Sequence, residues 1–211
     1  MGIMSKLLNQ WREPTGWLGR LLAWVLNISH SKVNDWGLQH ISIEKQYTIL
    51  DVGCGGGMTV HKLAGIATEG RVYGIDISEE CVAVSRRTNR QLIKIGRVEI
   101  RHGSVSCLRF ADDMFDLVTA VDSHYYWPDL AADLREVLRV LKPGGRLVII
   151  GEAYRGGKYE KRDRKFVEAA NAAYYSVNEL GELISRAGYS DVQMFEEYER
   201  GWICGVGRKP A

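Results

Sequence analysis

The stretch Thr48-Ile-Leu-Asp-Val-Gly-Cys-Gly-Gly-Gly57 constrains this chain more than any other. Thr48 to Val52 is a short apolar, β-branched run of the kind that forms a strand buried on both faces. A glycine cluster follows, and then Met58, Val60, Leu63, Ala64 and Ala67 recur at helical spacing. The order is therefore strand, tight turn, helix. Glycines at 53, 55 and 57 let the backbone adopt positive φ and approach a ligand more closely than a residue with a Cβ allows. Ligands of open α/β sheets bind beyond the carboxyl ends of the strands, so this turn reads as the floor of a cofactor site.

Two kinds of loop have this outline, the dinucleotide fingerprint and the loop that binds S-adenosylmethionine (SAM). Counted from Gly53 and Gly55, the dinucleotide pattern requires glycine or alanine at 58, where Met58 stands. Asp51 is unfavourable beside a pyrophosphate but suits a ligand with an ammonium and a sulfonium. The next apolar run, Arg71 to Ile75, ends in Asp76, about twenty residues past the last glycine, where a carboxylate can accept both ribose hydroxyls. Leu50-Asp-Val-Gly-Cys-Gly-Gly-Gly57 followed by Gly74-Ile-Asp-Ile-Ser78 resembles the class I SAM-dependent methyltransferases, in particular the small-molecule branch that includes the quinone-biosynthesis enzymes. The likeness runs from about Tyr47 to about Ile150.

That resemblance implies a Rossmann-like α/β fold, a doubly wound, mostly parallel seven-stranded sheet, with SAM as cofactor and S-adenosylhomocysteine as product. Carried onto this chain, it implies cofactor contacts from Asp51, Gly53, Cys54, Gly55 and Gly57 in the first turn. Asp76, Ile77 and Cys81 would contribute from the second, and Gly103, Ser104, Val105 and Val121 from later strand ends. Family members often carry Gly-Asp-Ala at the third strand end, with the Asp accepting from adenine. Here Ser104 replaces that Asp, which predicts a weaker contact.

At 211 residues and 45% hydrophobic content the chain can bury a real core as one domain plus an elaboration. A formal charge of +2, with no lysine-rich tail or acid-free basic run, gives no support for a nucleic-acid partner. Cysteines 54, 81, 107 and 204 share no metal or redox spacing, which fits a reducing cytoplasm and predicts no metal site. The apolar segment Leu21 to Ile28 is too short to span a bilayer, so no stable membrane insertion is expected.

Residues 1–44 differ from the rest and read as a helical cap. Pro14 and Gly16 break a first helix from a second over Trp17 to Ile28, and a third starts at Ser31 with Val33, Trp36, His40 and Ile41 on adjoining turns. These helices either pack on the sheet or form a lid over the cofactor. Residues 45–211 read as the SAM-binding domain. A helix is expected from Ser78 to Arg90 or Leu92, strands at Val98–Arg101, Phe115–Ala120 and Arg146–Ile150, and a helix from Asp129 or Leu130 to Leu141 ended by a turn at Lys142-Pro-Gly-Gly145. Gly151 to Gly157 reads as a loop and Lys158 to Lys165 as a solvated helix start. Ser176-Val-Asn-Glu179 is a capping box, and two closing strands at Val192–Phe195 and Trp202–Val206 form the family's antiparallel hairpin.

The chemistry is expected at Val121-Asp-Ser-His-Tyr-Tyr-Trp127. Methyl transfer from a sulfonium needs an in-line nucleophile about 3 Å away in a site that excludes water. His124 is the first candidate base, because its ordinary pKa lies near working pH. Asp122 is a second base candidate or, preferably, an anchor for the cofactor ammonium. Tyr125, Tyr126, Trp127 and Tyr154 are expected to line the acceptor pocket, with Tyr174 and Tyr175 near it. His30 and His40 read as structural, and Cys54 as a small residue that fits the turn.

The leading reading is a methyltransferase acting on a small, partly apolar molecule, with a homodimer left open. The alternatives are a non-catalytic SAM-binding regulatory module and a methyltransferase of macromolecules. A nicotinamide-dependent oxidoreductase is disfavoured by Met58 and Asp51.

Overall fold

Strand β1 (Thr48–Val52) is an interior strand of a seven-stranded sheet, with every residue after Thr48 buried. The computed structural model describes residues 31–170 and 172–211. The helices expected before Ser31, together with Pro14, Gly16 and His30, lie outside them.

The described chain runs α1 (Ser31–Leu38), β1, α2 (Met58–Ile66), β2 (Arg71–Asp76), α3 (Glu79–Thr88), α4 (Arg90–Lys94), β3 (Val98–His102) and β4 (Phe115–Val121). It continues through α5 (Leu130–Val140), β5 (Leu141–Gly151), α6 (Glu160–Ala170), α7 (Val177–Arg186), β6 (Ser190–Glu197) and β7 (Trp202–Arg208). The strand order is β3-β2-β1-β4-β5-β7-β6, with β1 to β5 parallel and β7 antiparallel to both its neighbours. Chain order reverses between β1 and β4, the switch point at which such sheets open a crevice. Alternation along the strands sorts the core into two layers. Leu50, Val118 and Ile149 pack with Leu134 and Val137 of α5 and Ile184 of α7. Ile49, Leu117 and Ile150 pack with Val33 of α1 and Val60 and Leu63 of α2.

Several boundaries differ from the sequence reading, each for a local reason. The helix expected from Ser78 to Arg90 or Leu92 breaks at Asn89, whose side-chain amide turns back to the carbonyls of Ser85 and Gly57 at 3.0 and 2.9 Å. Lys142 to Gly145 does not leave the sheet as a turn. Gly144, at φ +79°, donates to Lys209 O at 2.9 Å, Gly145 O accepts from Lys209 N, and the register slips between Phe115 and Leu117, so the segment is an irregular start to β5. Gly151 belongs to β5, and His40 and Ile41 follow α1 without being on it. The capping box at Ser176 and the closing hairpin are present as expected.

α1 lies directly on the sheet. A Cβ on Gly37 would come within 2.4 Å of Ile150, and the Gly37 carbonyl accepts from Cys204 Sγ at 3.7 Å. Gly37→Val should therefore cost about 1–3 kcal/mol through overpacking. Urea melts would register this as a lower midpoint at unchanged slope; an unchanged midpoint would mean that α1 does not hold this seat.

Candidate active site

The turn after β1 is fixed by the backbone. Gly53 N and Cys54 N both donate to Ile75 O at 2.9 Å, tying the turn to β2, and Gly57 N donates to Cys54 O. Gly53, Gly55 and Gly57 have φ of 72°, 50° and 84°, the left-handed region that glycine enters without strain. They do different jobs. A Cβ on Gly53 would strike Ser123 at 2.4 Å and one on Gly57 would strike Ser85 at 2.3 Å, whereas one on Gly55 would meet nothing within 4 Å. The turn is clamped on two sides and open at Gly55, where a ligand can lie against bare backbone.

Two acids serve this turn. Asp76 bridges it to the next helix, accepting from Gly55 N at 2.8 Å and from Ser78 N at 2.9 Å. Ser78 caps α3 by accepting from Cys81 N. Asp51 is buried beneath the turn and accepts from Thr119 Oγ1 at 2.6 Å. Burial pushes its carboxyl up from 3.8 to about 7; the Thr119 hydrogen bond opposes the rise and the neighbouring Asp76 adds to it. A cationic group arriving here would favour the ionised form, which suits an ammonium or sulfonium ligand.

Sequence reasoning missed the residues that hold the turn from outside. Ser85 of α3 and Asn89, which caps the end of that helix four residues on, are both fully buried against it: Asn89 donates to Gly57 O, and Cys54 Sγ lies 3.8 Å from Ser85 Oγ. Polar residues at this spacing facing a glycine loop were the available signal. Cys54 and Cys81 are buried, and burial drives the Cys54 thiol well above its ordinary value and Cys81 to about 12, so neither is a thiolate.

Beyond β2, Ile77 is half exposed, and the ring of His102 donates from Nε2 to its carbonyl at 2.8 Å. Gly103 N donates to Asp76 O. Ser104 caps a short turn of 3₁₀ helix by accepting from Ser106 N, and Val105 is buried in the core. Val121 ends β4.

At the end of β4 the backbone is strained. Asp122 has φ +47°, unusual for a residue with a side chain. The conformation is held because Asp122 N donates to Ile150 O while its carboxylate accepts from Glu152 N at 2.8 Å and Tyr125 OH at 3.3 Å. Ser123 Oγ donates to Val52 O at 2.7 Å, closing β4 against β1. Asp122 thus joins the ends of β4 and β5 and fixes Tyr125, whose hydroxyl also accepts from Ala153 N.

His124 follows on a 3₁₀ turn and is 2% exposed. Burial lowers its pKa to about 4 against a partly compensating pull from Asp122, so the ring is neutral at physiological pH. Its Nδ1 has no hydrogen-bond partner. Tyr126 is half buried, with its hydroxyl pushed up to about 12 by burial. Trp127 and Tyr154 are in the core cluster on the α5 and α7 side; Tyr154 OH donates to Glu196 at 2.5 Å, and its carbonyl accepts from Tyr174 OH. Among the described residues no group of His, Cys, Asp and Glu could hold a metal ion, and no helix is long and apolar enough to cross a membrane.

Residues 50–149 match the family described as a methyltransferase domain. The chain carries a class I, SAM-dependent methyltransferase domain. Across 90% of its length it is 21% identical to the uncharacterized methyltransferase YdaC of Bacillus subtilis, covering 99% of that protein. It is 34% identical over 122 residues to a demethylmenaquinone methyltransferase of Bacillus licheniformis. That alignment takes in 57% of this chain and 51% of the relative, so the chain spans about half the length of that enzyme. In fold it resembles a chain of the Haloferax volcanii complex between the Trm112 methyltransferase activator and a methyltransferase, with a TM-score of 0.80 at 20% identity, covering 100% of this chain and 99% of that one. SAM is the cofactor of the domain, and the open face at Gly55 beside two carboxylates fits it.

The burial of Asp51 has a measurable consequence. Its folded pKa of about 7 lies above the unfolded value, so folding takes up a proton between about pH 4 and 7 and stability falls as pH rises through that window. Asp51→Asn should therefore stabilise the free methyltransferase domain, by nothing below pH 4 and by on the order of 4 kcal/mol at pH 8, while weakening SAM binding. Denaturant melts at pH 4 and 8 would check this; equal differences at the two pH values would refute it.

Proposed function

We propose that this methyltransferase transfers the methyl group of SAM to a small, partly apolar acceptor with an acidic hydroxyl, such as a phenol or a quinol. The observation that carries the reading is the end of β4, where strained Asp122 fixes Tyr125 and buried, neutral His124 stands with Nδ1 unpartnered. The likeness to demethylmenaquinone methyltransferases, whose name points to a quinone-type acceptor, supports a small, partly apolar one.

In this reading SAM supplies an activated methyl on a sulfonium. Asp76 accepts from the ribose hydroxyls, Gly53, Cys54, Gly55 and Gly57 form the floor, and Asp51 supplies negative field for the cationic end. Ile77, whose apolar side chain is 47% exposed, covers one face of the adenine, with Gly103, Ser104 and Val105 at its edge and Cys81 behind. Val121 meets the methionine end through its backbone, and Asp122 shapes that end of the site. Tyr125, Tyr126, Trp127 and Tyr154 form or support the acceptor wall. His124 accepts the acceptor's proton. A base with a pKa of about 4 is too weak to ionise a phenol beforehand, so in this reading the proton passes to His124 as the methyl is transferred.

Calorimetric titration with SAM, S-adenosylhomocysteine and NADH tests the cofactor half of the proposal. The two adenosyl ligands should saturate and NADH should not, and Asp76→Ala should weaken both adenosyl ligands at least about tenfold. Wild-type affinity in that variant would remove Asp76 from the site.

The catalytic half is tested by pH. With His124 as base, kcat/KM should show no histidine-like break near pH 6.5, the acid limb lying near pH 4 instead. His124→Ala should lower kcat about a hundredfold with SAM affinity unchanged. Full activity in that variant would return His124 to a packing role.

A further inference from the structure

Asn34 lies on α1, outside the matched domain of residues 50–149, and no strand-end rule points to it. It is 3% exposed on the layer of the core that contains Val33 and Val60. Its Nδ2 donates to Thr59 Oγ1 at 3.0 Å, in the first turn of α2 and two residues past Gly57. Its Oδ1 is buried with no hydrogen-bond partner. A buried amide oxygen left unpaired forfeits the hydrogen bond it had in water, so such an atom in a folded protein calls for an explanation.

The placement supplies one. α1 crosses the carboxyl end of the sheet: Trp36 packs 5.9 Å from the ring of Trp202 at the start of β7, Gly37 rests on Ile150, and Asn34 reaches the start of α2. Asp35 of the same helix pairs with Lys62, a second tie between α1 and α2. Asn34 therefore stands beside the glycine turn, on the face of the sheet to which Ile49 and Asp51 point. The orphan is an acceptor on the face of the sheet that also carries Asp51, a buried carboxyl that an arriving cation would ionise, so a cationic donor suits both groups.

We propose that Asn34 is a cofactor-binding residue whose Oδ1 accepts a hydrogen bond from the α-ammonium of the amino-acid end of SAM. The proposal rests on the reading of the cleft as a SAM site. It gives α1 a role beyond packing: the helix contributes a ligand contact from outside the strand-end loops, and α1 must be docked for the amino-acid end to be held.

The test is calorimetric titration of the full chain and its Asn34→Leu and Asn34→Asp variants with two ligands, S-adenosylhomocysteine and 5′-methylthioadenosine, which lacks the amino-acid end. Leucine keeps the volume and removes the acceptor; aspartate keeps the acceptor and can still receive the Thr59 hydroxyl. Asn34→Leu should bind S-adenosylhomocysteine about tenfold or more weakly and methylthioadenosine as wild type does, whereas Asn34→Asp should hold both at near wild-type affinity. Equal losses for the two ligands in Asn34→Leu, or no loss, would overturn the proposal, as would an Asn34→Asp variant as weak as the leucine one. If thermal melts show that the leucine variant is unfolded, Asn34→Ala takes its place with the same expectations. A wild-type chain that binds neither ligand would sink the SAM reading itself, an outcome separate from any difference among the variants.

Discussion

A pair of carboxylates at the ends of two adjacent strands is the constraint around which the site is built. Asp76 makes two backbone hydrogen bonds, one to the glycine turn and one to the start of α3, so the turn and the helix cannot move independently. Asp51, beneath the turn, is buried with one hydroxyl for company and has its pKa raised to about 7. Burying an acid this way works against folding. The arrangement makes sense as preparation for a cationic ligand, whose arrival restores the charge that the fold has suppressed.

The surroundings show how such a site is kept rigid without large side chains. Ser85 and Asn89 press on the turn from α3, Ser123 closes it against β4, and Asp122 is held at positive φ by ties to Ile150, Glu152 and Tyr125. Short polar side chains bonded to backbone carbonyls and amides allow elements to approach more closely than aliphatic packing would, and they leave the Gly55 face open. The same economy brings α1 onto the sheet, where Gly37 admits Ile150 and Asn34 reaches Thr59.

Much of this was legible in the order of residues. The strand, glycine turn and helix at Thr48 to Ile66, the acid ending β2, the Ser176 capping box and the closing hairpin all follow from local chemistry: buried β-branched runs, positive-φ glycines and side-chain caps act within a few residues of themselves. The misjudged places have a common cause. Asn89 breaks a helix because its amide bonds to Gly57, thirty-two residues away in sequence. Lys142 to Gly145 stays in the sheet because Lys209, near the end of the chain, pairs with it. In both cases a long-range partner overrode a correct local signal.

The sequence by itself determined the α/β class, the position of the glycine turn and the two acids beside it, because each is written in a short pattern with a single physical meaning. Only the tertiary structure decided what those groups became. Burial turned Asp51 into an acid titrating near neutrality and His124 into a weak, neutral base, sealed Cys54 and Cys81 away from reaction, and left Asn34 with an unpaired oxygen beside the turn. Desolvation and hydrogen-bond completion depend on every atom packed around a group, and those atoms come from strands and helices that the local pattern does not place together.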